Sequence, residues 1–448
     1  MTKIFIVDPN VPNVDESQNT SKNEIKEEKL VAESVSDERL KSFNAILYNV
    51  DIVDKASLIY IMYGFVGTLT SFLALAVITL IPMNNVITNP KYWYEGFFTN
   101  PVMSLIVSLF FTYNCSYWMN LERIKTCRSF SITLIFTTGS FMGFPLMVYG
   151  VWTYAFGYQW PVPFMGVLMT NFTYALCYMV IWHLFPQKWR NIGKFYSKLK
   201  FFCIALAFNQ STSLCYNFMV KTFLEYPEQY QWVLAIVSTV VREIFIWITK
   251  KVARKCSNGD PRRTTIVCSH LTNARHAIFL STILGSIATQ TTSIIILVMD
   301  SIINILLTLK LLVDTKYRKT ANTEKKIELL QDLALNEIVE IIVPLTYLLC
   351  FVAAYYGPNA ALIGNVQNDY WQYEKTENID ELIKNISVFV LVDVLSGIVC
   401  YFLLLWICKI NLIRASATLL REFGLVFTIN MTYLFFLVSS FYNAALFQ

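Results

Sequence analysis

Residues 293–313 read SIIILVMDSIINILLTLKLLV, an apolar run broken by few polar residues, with Asp300 near its middle. At about 1.5 Å rise per residue, a helix of this length crosses the roughly 30 Å hydrocarbon core of a bilayer. A carboxylate at mid-bilayer costs at least about 2.5 kcal/mol on insertion scales, so Asp300 is expected to face a partner, the bundle interior or a water-filled path.

The surrounding sequence has the same character. The 448 residues are 55% hydrophobic and 15% charged, where soluble domains carry about 25% charge. Lipid cannot satisfy backbone N–H and C=O groups, and no run alternates with the period of two that a barrel needs, so the apolar runs are expected to be helices. They fall near 57–82, 101–119, 130–152, 161–185, 201–220, 231–249, 266–285, 291–313, 336–356, 385–408 and 420–441. The expected fold is an all-α polytopic membrane protein of eleven transmembrane helices, or ten if residues 266–313 form a single span. Residues 57–448 make the bundle.

Basic residues orient it. Counting the span-edge Lys310 and Arg421 with the loops they adjoin, 30 of the 36 Lys and Arg residues fall in alternate loops and 4 in the others, with Arg242 and Arg275 inside spans. Cytosolic loops hold such an excess, which predicts a cytosolic N-terminus and an extracellular or lumenal C-terminus. Joining 266–313 into one span would break the alternation. Nine of the ten tryptophans lie near predicted helix ends, where indole favours the headgroup zone.

Residues 1–56 are acidic, rich in Ser, Asn and Glu and poor in aromatics, and read as a disordered cytosolic tail. No apolar core follows a basic start there, so a cleavable signal peptide is not expected and the first span is expected to target the chain. None of the ten cysteines falls in an outward loop and CxxC spacing is absent, so neither a disulfide framework nor a zinc site is expected.

Ionisable residues concentrate in the later spans. Span six carries Arg242 and Glu243, span seven Arg275 and His276, span eight Asp300 and span ten Asp393. By residue count Arg275, Asp300 and Asp393 reach similar depth, which predicts that Arg275 pairs with one or both aspartates. Ser293, Asp300, Asn304 and Thr308 fall on one helical stripe, and Asp393, Ser396, Gly397 and Cys400 on another, so one shared cavity is expected. In span nine Glu337 and Glu340 share a face, expected as an acidic vestibule at the inner mouth. Span five is unusually polar around FNQSTSLCYNF, residues 208–218, and span three holds the Gly- and Pro-interrupted TTGSFMGFP, residues 137–145, a candidate broken helix. The acidic outer loop 357–384 is a candidate funnel for cations.

His270 and His276 are six apart and share no metal-binding face. HExxH, Walker, GxSxG and zinc spacings are absent from the sequence, so an enzyme and a cofactor are not expected. The C-terminal TYLFFLVSSF, from Thr432, resembles the TYhhhhhQF ending of insect gustatory receptors, which share this orientation of the termini. The likeness covers ten residues, with Ser439 and Ser440 in place of Gln, and eleven spans exceed a seven-helix receptor. The function expected is a transporter or channel of the plasma membrane for a cation or proton, or for a small solute coupled to one. The alternative is a receptor or signalling scaffold acting through the N-terminal tail. The partners implied are the bilayer and a small ion or solute, with no nucleic acid.

Overall fold

The structure, a computed structural model, describes residues 195–225, 227, 230–256, 261–286, 290–316, 323–356 and 378–445, with isolated helical positions such as Phe110 and Asn114. Among these, seven long helices follow one another: α1 (Phe195–Glu225), α2 (Gln231–Cys256), α3 (Pro261–Ser286), α4 (Gln290–Lys316), α5 (Thr323–Tyr356), α6 (Asn378–Cys408) and α7 (Leu412–Ala445). The described residues contain no strand. Isolated positions aside, the first four expected spans, the tail 1–56, the interrupted segment 137–145 and residues 357–377 of the outer loop lie outside the described residues.

Four segments are long and apolar enough to cross a membrane, namely Gln231–Cys256, Thr292–Thr315, Lys326–Cys350 and Ile383–Cys408. Their faces are inverted relative to a soluble helix. On α4, Ile294, Val298, Ile302 and Leu306 are exposed, while Asp300, Asn304 and Thr308 are buried. On α6, Leu391, Leu395 and Phe402 point outward and Asp393, Ser396 and Cys400 inward. On α2, Val233, Val237, Val240, Ile244 and Trp247 form the outer stripe, opposite buried Ser238, Arg242 and Thr249. In water such a surface would be unstable, whereas a hydrocarbon solvent imposes no penalty on it and drives polar groups inward. These helices are those of an integral membrane protein.

Residues 266–313 divide into α3 and α4, with the break between Ser286 and Gln290. Pro261 opens α3, where its missing N–H is one of the donors the first turn leaves unused anyway. Every residue of α3 from Thr265 to Leu284 is buried, because α1, α2, α5, α6 and α7 all pack on it. That enclosure explains why α3 needs no apolar face and carries Ser269, His270, Thr272, Asn273, Arg275 and His276 in its interior.

At the junction of α6 and α7, Lys409 takes a left-handed conformation, φ 58°, which costs a non-glycine residue on the order of 1 kcal/mol. The turn is fixed by Asn411, whose Oδ1 accepts the Arg414 N–H at 3.1 Å and whose carbonyl accepts the Ala415 N–H at 3.1 Å. This is an N-cap, and it starts α7. Farther along, Asn430 of α7 accepts a hydrogen bond from Asn114 at 2.8 Å, and Tyr433 stacks on Phe110. These contacts tie α7 to the earlier part of the chain.

Candidate functional site

The site forms where α2, α4, α5 and α6 converge. Each contributes from within about one helical turn of the middle of its apolar segment: Arg242, Asp300, Glu340 and Asp393. Asp300 is 4% exposed, Glu340 3%, and Asp393 and Arg242 1% each. One carboxylate oxygen from each of the three acids lies within 4.8 Å of the other two.

Arg242 supplies the positive charge. Its Nη1 approaches Asp300 Oδ1 at 3.3 Å and Glu340 Oε1 at 3.8 Å, while its Nε donates to Glu243 Oε1 at 3.3 Å. Glu243 faces outward with its side chain 55% exposed, so it borders the site without entering it. Asn304 Nδ2 donates to Glu340 Oε2 at 2.5 Å, and Asn336 Nδ2 donates to Asn304 Oδ1 at 3.0 Å. Asn336 and Glu340 are one turn apart on α5 and straddle Asn304 of α4, which fixes the Glu340 carboxylate. Glu337 is buried one turn away on α5, with its carboxylate packed on Gly397 of α6, where a Cβ would overlap it.

Four buried carboxylates thus gather here, and the Arg242 guanidinium meets two of them, Asp300 and Glu340. Among the described residues, Asp393 has no hydrogen-bond donor on either oxygen, and Asp300 Oδ2 and Glu337 Oε1 have none. Buried polar groups normally find partners, and an isolated buried charge costs far more than a neutral group. The cluster therefore has a strong demand for protons or a cation.

Two expectations are corrected here. Arg275 does not pair with the aspartates. Its Nη1 donates to Asn209 Oδ1 and to Thr212 Oγ1 of α1, the latter at 2.8 Å. Equal depth did not give equal azimuth: Arg275 is on the α1 side of α3. Two residues of the polar stretch of span five, Asn209 and Thr212, are thereby explained, since they accept from this guanidinium. Nor do Glu337 and Glu340 form a vestibule at a mouth. The apolar segment of α5 runs from Lys326 to Cys350, which places both near its middle. The polar stripe of α4 and that of α6 do meet, through Asp300 and Asp393. His276 packs beside the Tyr216 and Phe279 rings, with centroids at 5.8 and 6.2 Å, and His270 stacks on Phe427 at 4.3 Å.

One feature was not anticipated. Lys250 Nζ contacts Asp332 Oδ2 at 2.5 Å and Glu328 Oε1 at 3.7 Å, and Arg254 Nη2 meets both Glu328 oxygens at 2.9 and 3.0 Å. Together with Arg242 and Glu340 these make a ladder between α2 and α5. Steps of eight and four residues along α2 match steps of eight and four back along α5, the register of an antiparallel pair. That matched spacing of opposite charges was present in the sequence as the signal.

Comparison with protein families, curated proteins and solved structures gives no match for this chain.

Proposed function

We propose that the protein is a multi-pass membrane transporter or channel that moves a cation or proton, or a small solute coupled to one, through the cluster of Asp300, Glu340 and Asp393. The observation that carries this reading is that cluster itself, three buried carboxylates from three helices, of which two, Asp300 and Glu340, meet a single guanidinium. A bundle held shut for stability alone has little use for surplus buried carboxylates, because replacing buried ion pairs by apolar residues is often neutral or stabilising. Surplus acid at mid-membrane is what a site for a mobile positive charge requires.

Arg242 is the exchangeable counter-charge. With no cation bound it holds Asp300 and Glu340, and a cation entering beside Asp393 competes for the same oxygens. In the proposed topology of eleven spans, with the N-terminus cytosolic and the C-terminus outside the plasma membrane, the Lys250–Asp332 and Arg254–Glu328 rungs lie on the cytosolic side of the cluster and close it there.

Flux in proteoliposomes tests the reading. Asp300→Asn lowers cation or proton flux at least ten-fold while the protein remains monodisperse in detergent. If Asp300→Asn and Asp393→Asn both kept wild-type flux at every pH, transport through this cluster would be ruled out.

A further inference from the structure

We infer that Asp300, Glu340 and Asp393 bind one hard divalent cation of about the size of Ca2+; this rests on the reading of the cluster as a cation site. The first support is geometric. A Ca2+ ion takes oxygens at about 2.3–2.6 Å, so two of its ligands lie up to about 5 Å apart. The three carboxylate oxygens lie within 4.8 Å of one another, inside the Ca2+ limit.

The second is independent of the clustering. Asp393 is 1% exposed and neither of its oxygens accepts a hydrogen bond among the described residues, although it is aimed at the two other acids. A carboxylate whose only task was to brace α6 would have a donor there. Glu340 is held in the opposite way, by Asn304 and behind it Asn336, the kind of outer hydrogen bonding that orients a ligand. Pro344, inside α5, has no N–H and leaves the Glu340 carbonyl without its usual donor one turn on, a further oxygen at this level.

Charge points the same way. Three carboxylates and Arg242 carry a net charge of minus two, which one divalent cation neutralises and one monovalent cation does not. The ligand set is all oxygen, with no Cys or His among the three, which suits Ca2+, Mg2+ or Mn2+ rather than a softer metal. Glu337, packed on Gly397, lies outside the set.

The test uses the full chain in nanodiscs, with Mn2+ alone as the spectroscopic probe, free ion being counted by electron paramagnetic resonance. One saturable Mn2+ per chain is expected, displaced by Ca2+, with at least a ten-fold weaker affinity in Asp393→Asn and in Glu340→Gln and an unchanged affinity in Glu422→Gln, an exposed position on α7. Absence of saturable binding at millimolar Mn2+, or wild-type affinity in both site variants, overturns the inference. If either variant fails to fold, the wild-type stoichiometry decides, because several weak, equivalent ions or none contradict a single built site. Proton flux without Mn2+ binding would remove the divalent site and leave transport standing. Mn2+ binding without any flux would do the reverse.

Discussion

Arg242 and Arg275 are both buried arginines, and the structure gives them opposite company. Arg242 meets Asp300 and Glu340, while Arg275 donates to Asn209 and Thr212 and meets neither aspartate among the described contacts. Removing one member of a buried ion pair costs about 3–5 kcal/mol, because the other is left uncompensated. Arg242→Met should therefore lower thermal stability strongly, and Asp300→Asn in the same chain should recover part of the loss. Arg275→Met combined with Asp300→Asn should be additive within about 0.5 kcal/mol, and strong coupling in that second cycle would contradict the assignment. Gly397→Ala forces its new methyl against the Glu337 carboxylate; overpacking of this kind costs about 1–3 kcal/mol, and Glu337→Ala in the same chain should relieve it. Asp300, Asp393 and Asn304 were legible in the sequence because charge in an apolar run has one physical explanation, an inward face. The partner of Asp300 was not, since counting residues gives height along a helix and says nothing of which neighbour stands opposite.

At the scale of elements, the inverted faces of α4 and α6 were readable as stripes, and the structure buries Asp300, Asn304, Thr308, Asp393, Ser396 and Cys400 of them; the matching face of α2 comes from the structure. The position of α3 was not readable either. Its low apolar content reads as a poor span, and only packing by five neighbours shows why it tolerates polarity along its length. The α2–α5 ladder belongs to the same class, for its rungs come from helices separated by two others in sequence. Lys250 and Asp332 are largely buried, with side chains 15% and 20% exposed, whereas Arg254 is 55% exposed. The Lys250–Asp332 rung should thus carry about 1 kcal/mol of coupling and the Arg254–Glu328 rung close to none. The charge swap is the check: Lys250→Asp alone should depress the melting temperature, and adding Asp332→Lys should restore most of it. Failure of the swap to rescue would mean that the two side chains are neighbours without being partners.

For the whole molecule, composition and the length of the apolar runs suffice to assign an all-helical membrane protein, because a bilayer leaves the backbone few other choices. The division of labour within the bundle comes from the structure, with α3 as a buried axis, α4, α5 and α6 gathering acid, and α2 bringing Arg242 to it. Glu340 shares the buried cluster with Asp300 and Asp393, and if that cluster is the proposed transport site, Glu340 acts within it and is no vestibule residue. Flux through Glu340→Gln, measured in proteoliposomes over a range of ionic strength, separates the two. A vestibule acts by long-range attraction, which salt screens over a Debye length of about 10 Å at 0.1 M, so its neutralisation would matter only at low salt. A residue of the site is needed at every salt concentration. The expected result is a loss of at least ten-fold throughout the range; flux that matches wild type at high salt would contradict the placement of Glu340 in the transport site.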